Sequence, residues 1–594
     1  MQKIGKGEWP EWYKEFMKTA PKVGTPAPSQ VLSKQTSITA ITVPMLKPSQ
    51  KNAFQLRYAM YVYATATSFN RVENKYLKEA IKMLRPGDNI LPTRKQLATT
   101  LLHKCYNELR ERVEKQLRGK TVCMTNDSWS NVKNDPIMNF MAASPACTLF
   151  LESVATGVQA HTHKYIADEI TRIFNSYNTT FAGAVTDNTS TNKAAWCLLH
   201  KRHPSCFFQG CASHGLHLLV KDIFAATKTT RAGQQEPTYP DGYPFEDLHN
   251  FVDACKEIVT FFHNHQIPKA LLNELQLETK ALMLVSPAPT RWGSIQAMFK
   301  SILVSVRLLR MLVMDDDFFA VPLAQKAKRL QLCQLIIDTN FISKLRKAIA
   351  ILRPIDALIV KYQDDKVPIS AVRKDFLELP SRFQVLQTAG AITLQEKEYL
   401  SKVALNRYDF MRGIGHELAY LLDPILLGEG MTPEENHSVR NLLFKIPTDD
   451  ANLIDPELRR RLHRQYYDYM ERALAAKNNT EYEYERLVEG DQTPLGWWKV
   501  NGRDYPDLAK IAVKLFSMAA SSAASERNFS TMAFIHSKLR NRLKPETVEM
   551  LVYIKSNLAA LEYQPAAVDE MLEDIYSGTS SSEGDDDVDY YVSD

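Results

Sequence analysis

No stretch of this chain stays apolar long enough to span a bilayer, so a helical membrane anchor is not expected. No charged-then-apolar leader pattern opens it, so secretion is not expected either. Residues 1–52 contain no cysteine, which excludes a Cys/His zinc finger in that arm, because structural zinc sites are built largely on thiolates. Residues 577–594 contain no basic residue, only the six acids Glu583, Asp585, Asp586, Asp587, Asp589 and Asp594. The net charge of +5 therefore understates how basic the remainder is. A basic body suits a polyanion partner, although many enzymes share that balance. Cysteine is sparse: Cys105, Cys123, Cys147, Cys197, Cys206, Cys211, Cys255 and Cys333 lie scattered through apolar segments, the pattern of reduced thiols in an intracellular protein. Sequons such as those at Asn178 and Asn188 carry no weight without secretion.

What is present is an ordinary globular composition, 45% hydrophobic and 24% charged. At 594 residues, two to four domains are expected. Residues 1–52 are rich in Pro, Ser, Thr and Lys without a clear period and read as an extended arm. Residues 53–84 and 93–117 have helical periodicity; in the second, Leu97, Leu101, Leu102, Cys105 and Leu109 mark a buried face. Arg94, Lys95, Lys104, Arg110, Arg112, Lys115, Arg118 and Lys120 lie on or beside it, which suits either a phosphate-facing surface or a solvated helix face.

From residue 121 the period changes. Strands are expected at 121–127, 137–143 and 149–158, a helix at 163–177, a strand at 181–187, a helix at 191–200, a strand at 207–211 and a helix at 216–226. In this β-β-β-α-β-α-β-α succession the first strand is central, and the strand after the first helix pairs beside it. Asp127 and Asp187 each close a short apolar strand, and ligands collect outside the carboxyl ends of strands in α/β sheets. Two carboxylates held that close avoid repulsion by sharing a divalent cation. Each Asp alone also suits an N-cap; the repetition is what points to a site.

A long helical tract follows, with helices expected at 249–262, 267–284, 295–314, 323–337, 340–362, 369–376, 395–422 and 433–443. Residues 466–485 read as a charged, Tyr-rich, solvent-facing helix and linker. Helices at 508–521 and 525–535 return to the sheet, and Lys544-Pro545-Glu546 opens a last amphipathic helix. Glu526 follows the small residues 519–524, which let a helix approach a sheet closely; read alone, it also suits a surface ion pair with Arg527 or Lys538. Cys206, Cys211, His214 and His217 are four potential zinc ligands, but they span a strand end and a helix start rather than a loop pair, so zinc is not expected.

Several short motifs, in order, resemble those of the hAT-family transposases within the ribonuclease-H-like DDE superfamily. They are Asp127-Ser128-Trp129, Val185-Thr186-Asp187-Asn188, Cys211-Ala212-Ser213-His214, Thr290-Arg291-Trp292, Leu495-Gly496-Trp497-Trp498, Ser525-Glu526-Arg527-Asn528-Phe529 and Asn541-Arg542-Leu543. The resemblance implies an α/β ribonuclease-H-like catalytic core, a mixed five-stranded sheet with helices, interrupted by a large all-α insertion and preceded by an N-terminal helical region. The implied division is an arm at 1–52, N-terminal helices with possible DNA contact at 53–120, the first part of the core at 121–228, the insertion at 229–494, a C-terminal dimerisation region completing the core at 495–560, and an acidic tail at 561–594. It implies Asp127, Asp187 and Glu526 as catalytic ligands of Mg2+ or Mn2+. It implies His214, Arg291 and Trp292 as DNA-binding residues, and Trp129, Cys211, Trp497, Trp498, Arg527 and Arg542 as structural parts of the motifs. Arg pairs with phosphate and Trp stacks on an unstacked base; Arg291 and Trp292 also suit a cation–π pair closing the insertion. The implied activity is metal-dependent DNA strand cleavage and strand transfer at transposon ends by a self-associating nuclear protein with no membrane partner. Such in-line displacements need no protein nucleophile, so the absence of a Ser-His-Asp pattern is no objection. The alternative is a transposase-derived protein that dimerises and binds DNA without cutting it. Family members often carry a BED-type zinc finger ahead of the core, which this sequence lacks, and the acidic tail is outside the family pattern.

Overall fold

A computed structural model describes residues 45–130, 135–145, 147–157, 159–224, 239–240, 242–280, 282–287, 294–448, 455–537, 540 and 542–561. The arm through residue 44, Arg291, Trp292 and the acidic tail from residue 562 lie outside the described residues.

The chain is mostly helical around one mixed five-stranded sheet, in the order β3-β2-β1-β4-β5. The strands are β1 (Thr121–Ser130), β2 (Pro136–Ala143), β3 (Thr148–Ala155), β4 (Thr180–Thr186) and β5 (Phe207–Gly210). The first three form the expected antiparallel meander, while β4 and β5 add in parallel beside β1. β1 is therefore central, as the element succession requires. Its register against β4 shifts between Val122 and Cys123. Opposite that shift Gly183 has a φ of +154° and brings its Cα so near β5 that a Cβ would lie 1.7 Å from the Phe207 carbonyl oxygen. Only glycine lets these strands close here.

Both faces of the sheet are covered. On one, Val122, Met124, Phe140 and Phe208 pack with the N-terminal helices, His163–Ser176, Ser190–Arg202 and the last helix Pro545–Leu561. On the other, Cys123, Val185, Phe207 and Cys211 pack with Ile414–Leu422, Pro456–Asn478 and Pro506–Phe516. A third core, built by helices between Glu246 and Met411 with Ala212–Phe224, holds no strand residue.

Several expected elements break where local chemistry asks for it. The helix expected at 53–84 is two, Pro48–Ala64 and Lys75–Leu84: Ala66 takes a φ of 50°, and the Asn74 side chain caps the second helix by accepting from the Tyr76 and Leu77 N–H groups. The one expected at 395–422 divides at Arg412-Gly413 into Leu394–Met411 and Ile414–Leu422. The one expected to stop at 376 runs from Ser370 to Thr388, through Pro380. The expected solvent-facing helix and linker at 466–485 is a correction: Pro456–Asn478 buries Tyr466 and Tyr469, because these two, three positions apart, share the face that meets the sheet-side core, while Tyr467 stays exposed.

Candidate active site

β1 continues past its expected end to Ser130, still paired with β2, so Asp127 sits within a strand, opposite Asn139, and not at a strand end. Its parallel pairing with β4 stops at Thr125, however. Asp127 thus lies just beyond the parallel part of the sheet, at its carboxyl edge, and Asp187 follows the last residue of β4. Because side chains alternate along a strand, Thr125 and Asp127 share a face. Thr125 shows which element that face meets: its hydroxyl lies 2.9 Å from the Ser525 hydroxyl, one residue before Glu526. Asn139 on β2 reaches the same turn, its amide donating to the Ser525 carbonyl at 3.4 Å, while Asn126 donates to the Asn139 carbonyl at 3.2 Å. Two polar groups, one on each of two strands, therefore hold the start of Ala523–Ile535 against the sheet, and Glu526 occupies the first turn of that helix.

The second anchor is Cys211. Its buried sulfur accepts from the His214 N–H at 3.3 Å and from the Ser522 N–H at 3.2 Å. It thereby ties the helix after β5 to the segment that delivers Glu526, across more than 300 positions of chain. Burial, then the nearby charges of Asp187 and Glu526, push the Cys211 thiol up to about 12. It is a neutral acceptor, not a reactive thiolate.

These anchors bring three carboxylates together. Asp127 is buried; its carboxyl accepts from the Ser128 N–H at 2.7 Å and is hydrogen-bonded to that of Asp187. Burial comes first in raising Asp127 well above the usual carboxylate range, the charge of Asp187 next, with a smaller push from Glu526. Asp187 is shared with His214, whose Nδ1 lies 3.1 Å from its Oδ1. Burial alone would lower the His214 ring. The hydrogen bond and charge of Asp187, joined by Glu526, outweigh that and raise it, with Arg407 opposing. Among the described residues no three His, Cys, Asp or Glu side chains are set at metal-ligand spacing. The arrangement is a contacting pair with a third acid within electrostatic reach. Its chemistry fits a hard divalent cation: the carboxylates are oxygen donors, and two of them are forced together. Glu526 also opens onto a cleft of about 430 Å³, beside His217, Ser294, Gln363 and Arg527.

The four Cys/His side chains do not converge. Cys206 donates to the Phe181 carbonyl in one core, while Cys211 lies in the other and His214 turns to Asp187.

Two family models match stretches of the chain that contain these residues. A family described as "Domain of unknown function (DUF659)" matches residues 92–235, which hold Asp127, Asp187 and His214. The "hAT family C-terminal dimerisation region" matches residues 467–558, which hold Glu526. A maize (Zea mays) relative named "Putative AC transposase" is 33% identical over 109 residues, 18% of this chain and 13% of the relative. Together these matches support an hAT-family transposase. The matched stretch spans about an eighth of that relative's own length.

Other motif residues of this chain have structural contacts. Trp498 is buried, donates its indole N–H to the Leu422 carbonyl at 3.0 Å, and packs with Trp497, Tyr469 and Tyr505. Arg527 reaches out to the Gln363 carbonyl at 2.7 Å and Asp365 at 2.6 Å, joining the Glu526 helix to the turn between Phe341–Lys361 and Ser370–Thr388. Arg542 is exposed, and of Trp129 only the backbone pairing with Ile137 is described. Asn139 was the residue that sequence reasoning missed; the signal was a lone amide in an apolar strand, Ile137–Ala143, which a buried strand tolerates only with partners.

Proposed function

We propose that this protein is a DNA transposase that cuts and joins DNA at transposon ends, with a ribonuclease-H-like core whose Asp127, Asp187 and Glu526 hold Mg2+ or Mn2+. The observation that carries this reading is the contact between the Asp127 and Asp187 carboxyls beside Glu526, two strands and a distant helix held together by dedicated hydrogen bonds. Bound divalent ions supply Lewis-acid polarisation of the phosphate and an activated attacking oxygen. The chain's own residues do the remaining work. The Ser128 N–H fixes the Asp127 carboxyl. Asp187 orients the His214 ring through Nδ1 and favours its protonated form, leaving Nε2 to donate to a phosphate oxygen. Arg291 and Trp292 supply further DNA contacts. The partners are DNA and further copies of the same chain, and the compartment is the nucleus.

Self-association through the dimerisation region has a physical constraint. Trp497, Trp498, Leu508 and Ile511 are buried in one sheet-side core, and Val548, Leu551 and Ile554 in the other. Most apolar side chains of that region are thus used within one chain, and exposed ones such as Val500 and Phe534 are what it offers a second copy. Truncation at residue 491 then costs solubility as well as association, whereas deletion of residues 566–594 costs neither; light scattering of the two truncations separates the outcomes.

The absence of a closed ligand set among the described residues favours a second reading, a DNA-binding hAT derivative that does not cut. Nicking of DNA bearing the flanking inverted repeats, with and without Mg2+, separates the two. Metal-dependent cleavage supports the transposase; metal-independent binding without cleavage supports the derivative.

A further inference from the structure

The helix Pro456–Asn478 turns one side to the protein and the other to water. Its inner side fixes its rotation. Gln465 is buried and accepts from the Asp507 and Leu508 N–H groups at 2.9 Å each, while Arg461 meets Asp507 at 2.9 Å. That rotation places Arg459, Arg460, His463, Arg464 and Tyr467 outward. With Asp468 at the far end, they line an open depression of about 500 Å³. It shares no lining residue with the cleft at Glu526.

The positive charge of this surface is largely uncompensated. Arg460 shares an exposed contact with Glu457 at 3.5 Å, but among the described residues no carboxylate holds Arg459 or Arg464. Arg440, on the preceding helix Pro433–Leu443, comes alongside and donates to the Tyr467 hydroxyl at 2.9 Å, a neutral acceptor that leaves its charge in place. The guanidinium fork matches phosphate oxygens, and Arg459 and Arg464 stand about 7.5 Å apart along the helix axis, enough to take separate phosphates. The rings among them are packed on one another: the His463 centroid lies 4.7 Å from that of Tyr467 and 4.9 Å from that of Phe444. They are not laid open as a platform for an unstacked base, the device by which single strands are bound. Charge without a stacking platform fits the backbone of a duplex.

We propose that Arg440, Arg459, Arg460 and Arg464 form a contact for the phosphate backbone of duplex DNA, outside the cleft and indifferent to base sequence. It rests on DNA being the partner, as proposed above, and not on whether the chain cuts it. Fluorescence anisotropy of the full chain with a labelled duplex of arbitrary sequence, between about 50 and 200 mM salt, tests this. Each phosphate contact adds about 0.9 to the slope of log affinity against log salt. Arg459→Gln/Arg464→Gln is expected to lower that slope by about 2 and the affinity at low salt at least ten-fold. Its urea midpoint stays unchanged, because both side chains are exposed. Arg459→Lys/Arg464→Lys keeps the slope, since the charge remains. An unaltered slope and affinity in the glutamine variant overturn the proposal while leaving DNA as the protein's partner. Failure of the unaltered chain to bind any duplex overturns both. Binding of polyglutamate that the glutamine variant loses, with duplex binding kept, assigns the surface to an acidic protein segment and overturns the proposal as well.

Discussion

Two sets of buried acids in this molecule are treated in opposite ways. Among the helices between Glu246 and Met411 and those that follow, each buried acid is matched to a cation or to dedicated donors. Glu417 accepts from Arg373, from Arg412 at 3.3 Å and from the Tyr408 hydroxyl at 2.7 Å. Asp375 accepts from Lys361 at 2.7 Å and Tyr362 at 2.6 Å, and Glu396 from Lys347 at 2.6 Å. Asp423 has no such cation but accepts from the Ser370 hydroxyl at 2.6 Å and the Ile425 N–H at 2.9 Å. At the sheet edge, Asp127 meets a second carboxyl instead, and among the described residues no Lys or Arg contacts it. The matched acids hold helices together; at the sheet edge Asp187 has the His214 ring but Asp127 has no cation, so the pair stays short of counter-charge that a ligand from outside can supply.

The sharpest break of this contrast is to remove one unmatched charge while keeping its shape. Asp187→Asn is expected to leave the circular dichroism spectrum unchanged and lower Mg2+-dependent nicking by at least about 1,000-fold, roughly 4 kcal/mol of transition-state stabilisation. A folded Asp187→Asn protein that cuts at the unaltered rate would end the proposed chemistry. The matched set predicts the reverse pattern. Arg373→Met leaves buried Glu417 with only the half-exposed Arg412 and the Tyr408 hydroxyl and is expected to cost about 3 kcal/mol in urea unfolding. A loss under about 1 kcal/mol would show that the pair is not the brace its geometry implies.

How far the sequence carried this contrast depends on the kind of information each part needs. The strand succession and the approach of Asp127 to Asp187 were legible, because both follow from period and topology over a hundred positions. The place of Glu526 was legible only through resemblance. The groups that hold its helix, Thr125 and Asn139 at Ser525 and Cys211 at Ser522, lie some 300 to 400 positions away, and no local pattern encodes that distance. The burial of Tyr466 and Tyr469 was misjudged for the same reason: charge and tyrosine content look solvent-facing until the partner surface is known.

A gentler test acts on the unmatched pair in the opposite sense. Without divalent ions, Asp127→Asn is expected to raise the urea midpoint, since an amide donates to Asp187 where a second acid repels it. Adding Mg2+ then reverses the order. The unaltered protein gains about 2.7 kcal/mol at a hundred-fold excess over its dissociation constant, and the variant gains little. If Mg2+ stabilises both proteins equally, the carboxyl pair is not where the ion binds.

The smallest effect is expected from an acid that is poorly matched yet far from the cleft. Glu549 lies on Pro545–Leu561 between the N-terminal helices and β3. Burial first, then Glu152 and Glu546, raise it to about 7, with Arg110 and Arg172 opposing. Tyr106 faces the same group. Its folded affinity for a proton exceeds the unfolded one, so the native state binds the extra proton between about pH 4.5 and 7. Stability is full below that window and falls as pH rises through it, by about 1–2 kcal/mol once the group's partial exposure is discounted. Glu549→Gln is expected to remove that slope and raise stability at pH 8 while leaving Mg2+-dependent nicking unchanged. Denaturation midpoints at pH 5 and pH 8 measure the slope. If the substitution also abolished nicking, an unmatched acid anywhere in this fold would disturb the cleft, and the contrast between the two sets would no longer single out Asp127 and Asp187.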